Sequence, residues 1–276
     1  MKSEPSALRH QWRTRVLLLA SAAALLAGCA TGVLAPTPET RQILAPSGKL
    51  RIGLYPGTPT SILPGRAPTE ARGVGHDLGK EMARRLGVPD EVVVFSNNAE
   101  VLAAITSGKV DVVFTNASAA RAKEMDFTAP YMEIELGYLV PRGSPISSLA
   151  EVDRPGVRVG VTEKSSSDAT LTRDLKQAVV VRAPTVKAGA GMLATGKIDA
   201  YATNKATLFE MSGELPGSAV LAGRWGVERH AIAIPKGRDQ GLPFANKFAE
   251  DVKSEGVVKA AAAKAGLRGL VEGESK

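Results

Sequence analysis

Cysteine is the first thing this chain nearly lacks: Cys29 is the only one in 276 residues. No intramolecular disulfide can form, and no set of thiolates is present to hold a metal. Histidine is almost as scarce. His10, His76 and His230 are the full set, and no two of them have the spacing of helical metal ligands. Aromatic residues are 4% of the chain and lysine or arginine runs are missing, which excludes a nucleic-acid surface built from clustered cations and stacking rings. The formal net charge is +7, but Lys2, Arg9, Arg13 and Arg15 against Glu4 place +3 of it in the first 28 residues, leaving +4. That remainder is too small to gather a polyanion. Gly-x-Ser-x-Gly does not occur, and Ser165, Ser166 and Ser167 have no histidine near them in sequence, so no nucleophile and base pair is evident. The reading is therefore of a non-enzyme without cofactor or metal. At 44% hydrophobic and 23% charged residues, the composition is that of an ordinary globular chain.

What is present begins at the N-terminus. Basic residues precede an apolar run at residues 16–27, the length of a signal-peptide core and shorter than the roughly 20 residues of a membrane span. The run ends in Leu26-Ala27-Gly28-Cys29. Small residues before a lone cysteine resemble a lipobox, and a free thiol would be unusual in an exported protein. Residues 1–28 are thus expected to be a signal peptide, with Cys29 lipidated. Residues 29–46, with Pro36, Pro38 and Pro46 and no apolar period, predict a flexible tether.

Two patterns then occur twice. Leu50-Arg51-Ile52-Gly53-Leu54 is echoed by Val157-Arg158-Val159-Gly160-Val161, each alternating as a strand does. The stretch from Val101 through Gly108-Lys109-Val110-Asp111 is echoed by Gly191 through Gly196-Lys197-Ile198-Asp199. Each reads as a helix closed by a left-handed glycine and followed by a strand. The same order twice predicts two α/β lobes with largely parallel sheets. Apolar stretches at residues 136–140 and 231–234 read as two crossovers, so the expected division is 47–139 and 231–270 for lobe 1 and 140–230 for lobe 2. Two lobes on two strands can hinge and hold a small solute between them.

Two segments suit an anion. In Thr115-Asn116-Ala117-Ser118-Ala119-Ala120-Arg121, a strand should end and a helix begin, with Ser118 as cap and Arg121 offering a guanidinium fork to a carboxylate. Thr162-Glu163-Lys164-Ser165-Ser166 repeats the strand-to-helix junction in lobe 2. A plain capping role accounts for either segment alone, but both lie at the C-terminal ends of parallel strands, where α/β folds bind ligands.

In this order, and behind a lipobox, residues 48–53, 73–78, 107–111, 120–131 and 159–161 resemble the family 3 extracellular solute-binding proteins over nearly all of the mature chain. The resemblance implies a type II periplasmic-binding fold and a binding component of an ABC importer. Such a protein would capture a small anionic or zwitterionic carboxylate-bearing solute in the periplasm and hand it to an inner-membrane permease. It would be a monomer held to a membrane by its lipid and would bind no nucleic acid. Carried over residue by residue, the carboxylate-binding arginine is Arg121, with Ser118 and Asn116 beside it and Ser165 and Ser166 donating from lobe 2. Tyr55 is the ring nearest the first strand. The position of the family's ammonium-binding aspartate holds Asn204, and Lys164 stands where glycine is usual and would add a cation. These departures point toward an anion without an amino group, with an amino acid as the alternative. A periplasmic cyclohexadienyl dehydratase-like enzyme on the same fold is the competing reading.

Overall fold

The computed structural model describes residues 36–271; the leader and Cys29 lie outside them. Eight parallel or crossover strands form one continuous sheet path, which changes character at its centre. Lobe 1 contributes β1 (Leu50–Leu54), β2 (Asp90–Val94) and β3 (Val112–Asn116), mutually parallel with β1 in the middle. The short β4 (Met125–Phe127) leads into β5 (Met132–Val140), the first crossover. Lobe 2 contributes β6 (Arg158–Thr162), β7 (Val179–Ala183) and β8 (Ala200–Asn204), again parallel with the first strand in the middle. A two-residue β9 (Ala219–Val220) precedes β10 (Gly226–Pro235), the return crossover.

The two crossovers pair with each other antiparallel and then diverge. Residues 132–136 of β5 pair with 226–230 of β10; beyond that β5 pairs with β8 and β10 with β3. Both are longer than the apolar runs at 136–140 and 231–234 suggested, because each starts with a stretch of mixed polar and apolar residues, 132–135 in β5 and 226–230 in β10, where the two strands pair.

Helices flank the strands. In α2 (Val74–Leu86), Leu78, Met82 and Leu86 recur every four residues and are fully buried, and Gly87 ends the helix in the left-handed conformation (φ 74°). Burial of each such side chain contributes about 1.5–3 kcal/mol. The repeated helices are α3 (Asn98–Thr106) and α5 (Val186–Ala194), closed by Gly108 (φ 70°) and Gly196 (φ 67°). Lobe 2 adds α4 (Ser166–Asp174) and α6 (Lys205–Glu214). The closing helical segment of lobe 1 is two helices, α7 (Leu242–Ser254) and α8 (Val257–Lys264), parted by Gly256. Separate buried clusters form around Leu50, Leu78 and Phe248 in lobe 1 and around Val159, Tyr138 and Leu171 in lobe 2.

The sequence echo is an atomic one. The Arg51 backbone N–H and guanidinium both donate to Asp111, and the Asp111 N–H donates back to the Arg51 carbonyl at 2.8 Å. Arg158 and Asp199 make the same four contacts in lobe 2.

One expectation is overturned here. Residues 38–44, read as part of a flexible tether, form the helix α1 (Pro38–Leu44). Thr37 caps it by accepting from the Thr40 N–H, Pro38 sits at its first turn, and Leu44 is fully buried. Arg41 Nε donates to the Leu86 carbonyl at 3.0 Å. So short a helix is unstable alone, and its docking on lobe 1 supplies what propensity does not.

Candidate ligand-binding site

The C-terminal ends of β1 and β3 from lobe 1 face those of β6 and β8 from lobe 2. They enclose a narrow, polar cavity of about 460 Å³, mouth and open solvent included. Of the residues singled out in the sequence, Tyr55, Asn116, Arg121, Ser165, Ser166 and Asn204 line it.

Arg121 is held from behind. Its Nη1 donates to the Thr115 hydroxyl at 2.9 Å and to the Asn116 carbonyl at 3.0 Å, leaving the rest of the guanidinium for the cavity. Withdrawal from water lowers its pKa, opposed by the negative charge of Glu228 and by Tyr55. Asn116 spends its own side chain on the backbone, its Oδ1 accepting from the Arg229 N–H at 2.9 Å.

Three expectations change. No α-helix follows β3: the chain makes only a tight turn at Arg121–Lys123 before β4, which must be extended to pair with β10. Ser118 therefore serves that turn, accepting from the Arg121 N–H at 3.3 Å, and does not line the cavity. Lys164 does adopt a left-handed backbone (φ 58°), as a glycine position would, but its side chain is exposed and outside the cavity.

In lobe 2, Ser165 caps α4 by accepting from the Asp168 N–H at 3.1 Å. Asn204 is 5% exposed and works in two directions. Its Oδ1 caps α6 by accepting from the Thr207 N–H at 3.0 Å, while its Nδ2 donates at 3.1 Å to Oε2 of Glu228. The Thr207 hydroxyl in lobe 2 lies 2.8 Å from that of Thr58 in lobe 1, so a hydrogen bond closes across the cleft.

Glu228 and His230 are the residues the sequence reading missed. Both lie on the inward face of β10 and are nearly fully buried, with Arg229 exposed between them. The Glu228 carboxylate accepts from the Ser166 hydroxyl, from Asn204 Nδ2 and, at 3.2 Å, from His230 Nε2. Burial alone would raise its pKa. The hydrogen bond and charge of His230, the Ser166 hydroxyl and the charge of Arg121 outweigh this and bring it to about 2. The negative charge expected to be missing at position 204 is thus present in the cavity, carried by a neighbouring strand. The Glu-Arg-His alternation at 228–230 is the available signal, masked by its place ahead of the apolar run that starts at residue 231.

Sequence comparison places the chain among known proteins. The model of bacterial extracellular solute-binding proteins, family 3, matches residues 50–267, and the chain belongs to that family. The ABC transporter glutamine-binding protein GlnH of Bacillus subtilis (strain 168) is 22% identical over 79% of this chain and 81% of that protein. Among solved structures, the solute receptor for L-cysteine of Neisseria gonorrhoeae superposes with a TM-score of 0.74 at 26% identity, covering 84% of this chain and 99% of the other. An ancestral arginine-binding protein bound to arginine gives 0.70 at 28% identity, covering 79% and 97%. The two-lobed fold with two crossover strands is the type II periplasmic-binding fold that the family resemblance implied. No helix among the described residues is long and apolar enough to cross a membrane.

Proposed function

We propose that this chain is the capture component of an ABC importer for a small carboxylate-bearing solute of the amino-acid type, working in the periplasm. The observation that carries the reading is the placement of Arg121. Its guanidinium is braced on Thr115 and Asn116 and turned into a cavity that lobe 2 closes. A planar fork fixed in this way matches a carboxylate in two parallel hydrogen bonds. Ser165, Ser166 and Asn204 face it across the cleft, and Tyr55 forms a wall between this cavity and an adjoining, more apolar chamber bordered by Leu63, Pro64, Ala190 and Met211. That chamber has room for a side chain. Relatives named for glutamine, cysteine and arginine support the amino-acid class.

Ligand binding favours the closed form by bridging the lobes, which requires a difference in affinity between open and closed states and no chemistry. Capture and closure account for the cavity without a chemical step, so the chain is read as a binding protein; a dehydratase using Glu228 or His230, both in the cavity lining, is the competing reading. Processing after Gly28 and lipidation of Cys29 would hold it at a membrane as a monomer beside its permease. Incorporation of labelled palmitate that disappears in Cys29→Ser checks the anchor.

The binding reading is tested by a thermal-shift panel of the twenty L-amino acids, dicarboxylates, 2-oxo acids and prephenate on wild type and Arg121→Ala. A ligand at about 100 times its Kd stabilises by about 2.7 kcal/mol, visible as a rise of several degrees. A shift confined to the wild type supports the proposal. Prephenate consumed without a shift would replace it with the enzyme reading.

A further inference from the structure

From the placement of Glu228 we infer that this protein holds the ammonium group of its ligand with a carboxylate on the return crossover strand, and that Asn204 is a positioning residue for it. The inference rests on the binding reading above and narrows it to α-amino acids.

The geometry starts from acceptor capacity. An ionised carboxylate offers about four acceptor sites, and three donors reach Glu228, from Ser166, Asn204 and His230. One site remains, and Glu228 lines the cavity. The three donors come from α4, the end of β8 and β10 itself and fix the side chain, so it meets a ligand already oriented. Position 204 is an amide that caps α6 with its oxygen and has only its Nδ2 to turn toward the cavity, and one of that group's two N–H bonds is given to Glu228. An amide there aims the carboxylate and carries no charge of its own.

Charge balance points the same way. Arg121 and Glu228 line one cavity, and among the ion pairs of the described residues they are not joined directly. Arg121 has no anionic partner in contact, Glu228 touches only the His230 imidazole at 3.2 Å as a cationic partner, and a charge withdrawn from water is costly unless paired. A ligand with a carboxylate and an ammonium on one carbon completes both. A 2-oxo acid of the same skeleton would satisfy Arg121 but would set an uncharged, proton-accepting oxygen against the Glu228 carboxylate, with no donor for its free site. A dicarboxylate would be worse, placing like charges together in a poorly solvated space.

The test uses the full chain, titrated with each L-amino acid that shifts the wild type and with the matching 2-oxo acid. The variants are Glu228→Gln and the exchange Asn204→Asp/Glu228→Gln. The exchange keeps one amide and one carboxylate in contact but moves the charge to position 204, where aspartate can still cap α6. The wild type should bind the amino acid in preference to the 2-oxo acid. Glu228→Gln should weaken the amino acid by roughly 30-fold to several thousandfold, the range for removing one partner of a buried charge pair, and should erase the preference. The exchange variant should recover at least tenfold of that loss, which a merely structural role for Glu228 would not produce. Equal wild-type affinity for the 2-oxo acid overturns the inference while leaving capture through Arg121 intact, as does amino-acid binding by Glu228→Gln within threefold of wild type. Should Glu228→Gln fail to fold, the wild-type comparison and the exchange variant decide. No binding of any carboxylate by the wild type removes the binding reading and this inference with it.

Discussion

Asp111 and Asp199 occupy equivalent places in the two lobes, so truncating each to alanine compares one motif in two environments. Asp111 has no exposed side-chain surface and accepts from the Arg51 N–H at 3.0 Å, from the Arg51 guanidinium at 2.8 and 2.6 Å, and from Arg238 Nη1 at 2.7 Å. Asp199 makes the same contacts to Arg158, but its side chain is 34% exposed and its partner's 42%. Removing one partner of a buried pair costs about 3–5 kcal/mol, since the guanidiniums left behind lose their counter-charge. An exposed pair contributes about 0.2–1 kcal/mol. For a domain of this size each kcal/mol moves Tm by about 2–4 °C. Asp111→Ala should therefore lower the midpoint by about 6–20 °C, and Asp199→Ala by no more than about 4 °C. Thermal melts of the unliganded variants followed by circular dichroism in one neutral buffer make the comparison. Equal losses would refute the reasoning, because burial would then not be what separates the two pairs.

Other expected outcomes follow from single contacts. Leu44→Ala removes the buried anchor of α1 and should cost about 2–5 kcal/mol in urea unfolding, with amide exchange at residues 38–44 rising most; an unchanged exchange pattern would mean the helix docks by other means. Because Glu228 has a folded pKa of about 2 against 4.5 for the free side chain, the unfolded state takes up its proton first. Its contribution to stability is complete above about pH 4.5 and is lost as pH falls toward 2. Glu228→Gln should flatten this acid limb, and an identical acid limb in both proteins would refute the assignment. In α5, a Cβ at Gly189 would stand 2.2 Å from the buried Tyr201 ring, whereas one at Gly191 meets nothing within 4 Å. Gly189→Ala should lose about 1–3 kcal/mol and Gly191→Ala should gain up to about 1 kcal/mol; chemical denaturation that ranks them the other way would contradict the packing.

Much of the fold could be read from the sequence because its determinants are local and occur twice. The strand alternation before Gly53 and Gly160, and the glycines that end α3 and α5, need no knowledge of what packs against them. Arg121 came into view through the family resemblance, and its orientation follows from Thr115 and Asn116 on the preceding strand. Helix α1 left a signal that was passed over: Thr37-Pro38-Glu39 is a cap, a first-turn proline and a first-turn acid. Glu228 was harder to see. Polar residues at alternate positions of a strand look like a solvent face, and only the pairing of β10 between β3 and β5 turns that face into the cleft. Lys164 and Ser118 were misplaced for a related reason, since residue type and junction do not say which way a turn points its side chains.

Calorimetric titration of the amino acid with the largest thermal shift into wild type and Arg121→Ala tests capture by the inter-lobe cavity most directly. One site per chain is expected in the wild type, with an affinity at least about 30-fold weaker once the guanidinium is removed. Wild-type affinity in a folded Arg121→Ala would show that the carboxylate is held elsewhere and would contradict the account.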